Sequence, residues 1–320
     1  MLLLSASGVS KSYDGRPVLS NFSLEVKAGE WVGILGESGS GKSTLLKIIS
    51  RLIDADEGAV FFRKEQLPVV ASQLIAGHEK IRMIAQDYQL FPEHTAAENI
   101  SYSMRFTDPE YSNQRLNKLL ELSQLNTVRD QKAKRLSGGE KQRVAIAAAL
   151  AANPDILILD EPFAHLDAVN KQTMIQVIAS LRQKEKMACV FVTHDPAEAL
   201  AWADQILIVK DGEVIQQGTP ESIYMRPLTP YTALLTGKVN WLNKKKSALI
   251  RPEFLKITHK ADRARHRLTI MEIWFAGPYY EYLGRDEKGL LLTFFRLRKD
   301  LRKGQQAMVT YEEKDIILLS

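Results

Sequence analysis

Residues Gly36-Glu37-Ser38-Gly39-Ser40-Gly41-Lys42-Ser43 follow the spacing G-x-x-x-x-G-K-S. These residue types in this order can hold a phosphate. Glycines let backbone N–H groups close around phosphate oxygens with no Cβ in the way. A helix opening near Lys42 adds the positive end of its dipole. Lys42 is then placed to reach the β and γ phosphates of a nucleotide, and Ser43 to ligate magnesium. A second acidic element is Asp160-Glu161. Asp160 closes the uncharged run Ile156-Leu157-Ile158-Leu159, so it sits at a strand end, where α/β sheets place their sites. It would hold magnesium directly or through water. Adjacent side chains diverge, so Glu161 is placed to polarise an attacking water instead. His194 closes the run Cys189–Thr193 and could meet the γ-phosphate through a ring N–H. No second histidine stands at metal-ligand spacing from it, and Cys189 reads as a core residue.

These groups need a sheet to hold them. Trp31–Leu35, Ile81–Gln86, Ile156–Asp160 and Ala188–Thr193 are short apolar runs expected as buried strands. Between them, Lys42–Arg51, Glu140–Ala152 and Val169–Glu185 read as helices, and Asn153-Pro154 stops the second of these. Residues 95–127 are polar and helix-prone, with leucines 116, 119, 120 and 122 at near-helical spacing. Asp211-Gly212 between Ile206–Val209 and Glu213–Ile215 predicts a hairpin. Continuous apolar strands alternating with helices indicate a largely parallel sheet covered on both faces. After about residue 235 the pattern changes to short β-prone runs at 249–250, 268–275, 290–295, 307–311 and 316–319. Gly277-Pro278, Gly284 and Gly304 fall between them, which predicts a small all-β domain.

The chain has 320 residues, 45% hydrophobic and 25% charged, a composition suited to a globular protein with a substantial core. One cysteine excludes an intramolecular disulfide and a cysteine-based zinc cluster, and suits a reducing compartment. The start has three leucines but no basic flank, so a signal peptide is not expected. No run reaches the roughly 18 apolar residues of a membrane span; work at a membrane would require a docking partner. The net charge of +5 is unevenly spread. Residues 241–320 hold 17 Lys plus Arg against 10 Asp plus Glu, and residues 1–240 hold 26 against 28. The basic clusters at Lys244-Lys245-Lys246 and Arg263, Arg265, Arg267 have no interleaved aromatics, so a solvated surface is preferred to a nucleic-acid platform.

Leu136-Ser137-Gly138-Gly139-Glu140-Lys141-Gln142-Arg143, lying between the phosphate loop and Asp160, resembles the signature sequence of ATP-binding-cassette (ABC) transporter ATPases. Other elements follow in that family's order. Tyr13 resembles the aromatic residue that stacks on adenine. Gln86, followed by Asp87-Tyr88-Gln89-Leu90-Phe91-Pro92, resembles the loop coupling nucleotide to the membrane partner. Ala164-His165-Leu166-Asp167 resembles the loop crossing the dimer interface, and His194-Asp195 the switch histidine region. The resemblance covers residues 1–235. It implies a P-loop NTPase cassette with a RecA-like core, an antiparallel β subdomain and a helical subdomain at about 88–152. It also implies ATP and Mg2+ as cofactors and a head-to-tail dimer. Each ATP would lie between one copy's Tyr13, Gly36 and Ser38–Thr44 and the other copy's Ser137–Glu140, with Asp167 also nucleotide-binding on the loop that crosses the interface. Ser137 offers a hydroxyl, and Gly138-Gly139 offer close N–H donors at a helix N-terminus. The implied catalytic residues are Glu161 as general base, His194, Gln86 and Lys42; Ser43, Gln86 and Asp160 would hold the metal. Ala148, where many relatives carry arginine, and His165, where a small residue is common, depart from the pattern without touching phosphate chemistry.

Residues 236–320 resemble the OB-like regulatory domain of importer ATPases, through Ile250-Arg251-Pro252-Glu253 and Phe275-Ala276-Gly277-Pro278-Tyr279-Tyr280-Glu281; a regulatory role and a packing role that strengthens the dimer are both open for it. The resemblance therefore implies an importer energy subunit on the cytoplasmic face of a membrane, with permease subunits and a solute-binding protein as partners. Iron(III)-type and polyamine-type systems are nearest in the style of the tail. A soluble ABC ATPase of translation or DNA repair usually carries two cassettes or a long coiled-coil insert, and an exporter cassette usually has its membrane domain fused or lacks such a tail; these two stand as the alternatives to the importer. Intact Lys42, Asp160, Glu161 and His194 argue against a catalytically dead cassette.

Overall fold

The computed structural model describes residues 1–85, 89–163 and 168–319. They form two compact units, Met1–Pro220 and Glu221–Ser320. Gln86, Asp167 and His165 lie outside the described residues.

The first unit begins with β1 (Leu2–Tyr13) and β2 (Arg16–Lys27), then β3 (Trp31–Leu35), α1 (Lys42–Ile49), β4 (Glu57–Phe62), β5 (Glu65–Gln66) and β6 (Ile81–Ile84). It continues with α2 (Ala96–Ser101), α3 (Pro109–Leu122), α4 (Gly138–Ala151), β7 (Ile156–Asp160), α5 (Ala168–Glu185), β8 (Ala188–Thr193), α6 (Pro196–Trp202), β9 (Gln205–Lys210) and β10 (Glu213–Gly218). Two sheets result. One is four-stranded and antiparallel, in the order β2-β1-β4-β5. The other is six-stranded, in the order β10-β9-β3-β8-β7-β6, parallel except for β10.

Alternation along the parallel strands sorts the core into two layers. Val32, Ile34, Ile156, Ile158, Val190 and Val192 pack with α1 residues Leu45, Leu46, Ile48 and Ile49 and with the antiparallel sheet. The intervening Trp31, Leu157, Leu159, Cys189 and Phe191 face the other way, toward residues of α2, α3, α4 and α5. Strands buried on both faces must be apolar throughout, which is why these runs carry no charge until Asp160. Burial also pushes the Cys189 thiol far above its usual range, so it stays protonated in the core. Asp211 and Gly212 both have positive φ (50° and 81°), the two-residue hairpin turn expected between β9 and β10.

The second unit holds α7 (Pro220–Met225), α8 (Pro230–Thr236), β11 (Asn240–Trp241), β12 (Ala248–Ile250), β13 (Lys256–Ile257), β14 (His266–Phe275), β15 (Tyr280–Asp286), β16 (Leu291–Arg296), β17 (Gln306–Thr310) and β18 (Ile317–Leu318). Its sheets are antiparallel, β11-β12-β18 and β13-β17-β14-β15-β16. Residues 221–235 pack here because of Arg251, which is fully buried. Its guanidinium donates to the carbonyls of Tyr224, Ala233 and Lys238 and to Thr236 Oγ1, and lies over the Tyr224 ring. Carbonyls at the ends of both helices thus gain donors. Gly284, expected in a turn, instead lies within β15 opposite Ile270. A Cβ there would sit 2.8 Å from Leu268 Cβ, so the glycine admits a buried leucine against the strand.

Candidate nucleotide site

The phosphate loop joins β3 to α1. Gly39 and Gly41 have φ of +83° and +89°. A Cβ on Gly36 would lie 2.3 Å from the Val209 carbonyl oxygen, and one on Gly41 2.4 Å from that of Val18. Only glycine allows both the turn and the approach of β9 and β2 backbone. Gly41 is the N-cap of α1 and supplies no side-chain cap, so the first-turn N–H groups remain available to an anion. Lys42, 7% exposed, is drawn into the loop and donates to Gly36 O (2.9 Å), Glu37 O (2.6 Å) and Ser40 Oγ (3.3 Å). Burial lowers its pKa, against the charges of Glu161, Asp160 and Glu37.

β7 delivers Asp160 to the same place. Ser43 Oγ donates to Asp160 Oδ1 at 3.2 Å, which brings together two of the three residues expected to hold magnesium; the third, Gln86, lies outside the described residues. Burial raises the Asp160 pKa; the Ser43 hydroxyl opposes this, the Glu161 charge adds to it, and Lys42 and Lys47 lower it. A partly buried carboxylate raised in this way is one that a divalent cation relieves. The donor set and the glycine-lined cradle therefore fit a magnesium-bound phosphate chain, with Ser43 and Asp160 as its protein ligands.

The backbone turns sharply after Asp160. Glu161 has φ of +49°, unusual for a residue with a side chain, and its N–H donates to Val192 O at 3.2 Å. Its Oε2 lies 3.5 Å from His194 Nδ1 at the end of the neighbouring strand β8. A carboxylate and an imidazole therefore stand side by side at the carboxyl edge of the sheet, next to the Ser43–Asp160 pair.

Behind His194 is a network that no motif in the sequence singles out. Thr193 Oγ1 donates to Glu198 Oε2 at 2.5 Å and accepts from the Asp195 N–H at 3.0 Å. Lys171 Nζ, from α5, lies 2.5 Å from Glu198 Oε1 and 3.8 Å from Asp195 Oδ2. Asp195 caps α6 by accepting from Ala197 N at 2.9 Å. The Asp195-Pro196 cap signal was available in the sequence; the pairing of Lys171 with Glu198 was not.

Other expected residues lie elsewhere. Ser137 is the N-cap of α4 and shares a capping box with Glu140. Ser137 N and Oγ each donate to Glu140 Oε2 at 2.8 Å, and the Ser137 N–H is the main reason the Glu140 pKa is lowered. Gly138 and Gly139 form the first turn of that helix, and a Cβ on Gly138 would meet open space. Tyr13 ends β1 beside the Asp14-Gly15 turn, half-exposed, with the Lys11 ammonium 5.7 Å from its ring centre.

A family model described as ABC transporter matches residues 19–164. The sulfate/thiosulfate import ATP-binding protein CysA of Halalkalibacterium halodurans is 37% identical over 238 residues, covering 72% of this chain and 66% of that protein. The spermidine/putrescine import ATP-binding protein PotA of Thermotoga maritima is 37% identical over 239 residues, 74% of this chain and 64% of that one. The chain thus spans just under two thirds of the length of both relatives. Among solved structures, the ATP-binding cassette MJ0796, a dimer in a post-hydrolysis state bound to ADP and Pi, aligns with a TM-score of 0.61 and 32% identity. That alignment covers 68% of this chain and 99% of the cassette. CbiO1 of Clostridium perfringens aligns with a TM-score of 0.61 and 27% identity, over 69% of this chain and 90% of that one. The chain belongs to the ABC transporter family of ATP-binding cassettes.

Proposed function

We propose that this chain hydrolyses ATP as the energy subunit of an importer, in a head-to-tail dimer docked on permease subunits at the cytoplasmic face of a membrane. The observation that carries the reading is the convergence of Lys42, Ser43, Asp160, Glu161 and His194 on one sheet edge. Lys42 would exchange its loop carbonyls for β- and γ-phosphate oxygens. Magnesium held by Ser43 and Asp160 would neutralise charge on those oxygens. Glu161 would accept the proton of the attacking water, and His194 would orient Glu161, the water and the γ-phosphate. Gln86 and Asp167 would complete the site, and Tyr13 would stack on adenine. The Ser137 end of α4 in the opposite copy would close over the ATP, so that turnover follows dimer closure.

The permease is the second part of the proposal. A groove of about 570 Å³ lies beside α2 and α4, and Phe91, Tyr102 and Phe106 on it are exposed, Phe106 at 89%. Arg105 spans Tyr102 and Phe106 with cation–π contacts. An apolar patch with two cationic side chains on the groove, Arg82 and Arg105, suits an apolar helix end carrying an acid or free carbonyls. No helix among the described residues is long and apolar enough to cross a membrane, so the span would belong to that partner. The β unit after the cassette would be the OB-like domain of importer ATPases; the domains 1–235 and 236–320 expected from sequence meet within this unit, because residues 221–235 pack in it through Arg251. Relatives named for sulfate/thiosulfate and for spermidine/putrescine stand at equal identity, so the solute is assigned to the permease and a solute-binding protein, with iron(III) and polyamine systems as candidates.

The test is purification of the tagged chain from its native membranes with mass spectrometry of its companions. A multi-span permease is expected. Ribosomal or DNA-repair proteins without a permease would overturn the importer reading.

A further inference from the structure

His194 is 65% exposed at its side chain, and the packing around the ring alone does not set its orientation toward Glu161. The backbone around it is held instead. Thr193 and Asp195 flank it, and the Asp195 N–H bonds back to Thr193 Oγ1, closing a tight loop over His194. Thr193 Oγ1 is itself fixed by Glu198, a carboxylate only 9% exposed at its side chain. A carboxylate at that depth needs a cation, and Lys171 of α5 supplies it at 2.5 Å with its ammonium 5.2 Å from the Trp202 ring centre. α5 begins at Ala168, directly after the segment holding Asp167.

Resting on the reading of Glu161 and His194 as the hydrolytic pair, we propose that Lys171 and Glu198 are positioning residues. Their ion pair, in which Glu198 is 9% and Lys171 25% exposed at the side chain, sets the His194 backbone against Glu161 and ties it to the start of α5. Neither touches the nucleotide; they act through Thr193 and Asp195. A shift of α5 on dimer closure would thus be transmitted to the imidazole through this salt bridge and the Thr193–Asp195 turn.

The test measures ATP turnover and ATP affinity of the full chain as Lys171→Met, Lys171→Arg and Glu198→Gln, each also combined with His194→Ala. Lys171→Met and Glu198→Gln are expected to lower kcat roughly 10- to 100-fold, the scale of an ångström-level misplacement, with KM for ATP nearly unchanged. Lys171→Arg should restore most of kcat. In the His194→Ala background the further loss should vanish, because the group being positioned is gone. An equal loss with and without His194, or a wild-type kcat in Lys171→Met, would overturn the positioning role. If Lys171→Met fails to fold, Glu198→Gln and Lys171→Arg decide the same question. Glu161→Gln and His194→Ala alone serve as references. Wild-type turnover in either would sink the hydrolytic reading and this inference with it, whereas their loss of turnover beside an unaffected Lys171→Met would sink this inference alone.

Discussion

Asp160, proposed as a magnesium ligand, carries a cost in the ligand-free chain. Burial raises its pKa from the ordinary 3.8. Between that value and the raised one, the folded chain binds more protons than the unfolded chain, so stability from this group falls as pH rises. Above that window the penalty of the buried charge is fully present. Asp160→Asn is therefore expected to raise the ligand-free melting temperature at pH 7 and flatten that part of the pH–stability curve, while abolishing turnover with MgATP. A lower melting temperature at pH 7 would mean that Ser43 and Lys42 already outweigh burial. Among single residues, the sequence was most legible where local spacing alone dictates chemistry. Gly36 to Ser43 and Asp160-Glu161 are each contiguous, and one strand–turn brings each to the sheet edge. The Lys171–Glu198 pair was not legible, because its partners lie on different helices and nothing local marks either one.

Elements differ in how plainly their pattern announces them. The parallel strands read clearly because burial on both faces leaves an unbroken apolar run. β1 did not, although it is long. Its register against β2 and β4 shifts around Gly8, which has φ of +61°, and a Cβ on the facing Gly58 would lie 2.5 Å from the carbonyl oxygens of Ser7 and Gly8. Such bulges break the two-residue alternation on which a strand reading depends. At α4 the signal was legible but has a second use. Ser137 and Glu140, expected to face a nucleotide, also satisfy each other and the first N–H groups of their helix. Ser137→Ala is expected to cost about 1 kcal/mol of ligand-free stability in chemical denaturation. An unchanged unfolding midpoint would show that the capping box contributes nothing.

For the whole molecule, charge and fold divide along similar lines. The basic surplus of residues 241–320 falls in the antiparallel β unit, and the nearly neutral remainder holds the cassette with its nucleotide site. The cassette alone presents Lys42, Ser43, Asp160, Glu161 and His194, while the start of α4 has its own separate capping arrangement. If two copies complete each other's sites, catalysis and association become one event, and Glu161 releases the closed state by promoting hydrolysis. The decisive experiment is sedimentation of Glu161→Gln with MgATP, beside its rate of phosphate release. ATP should still bind, turnover should be largely lost, and ATP should convert the protein to a stable dimer. A variant that stays monomeric with ATP and turns over like the wild type would contradict this coupling.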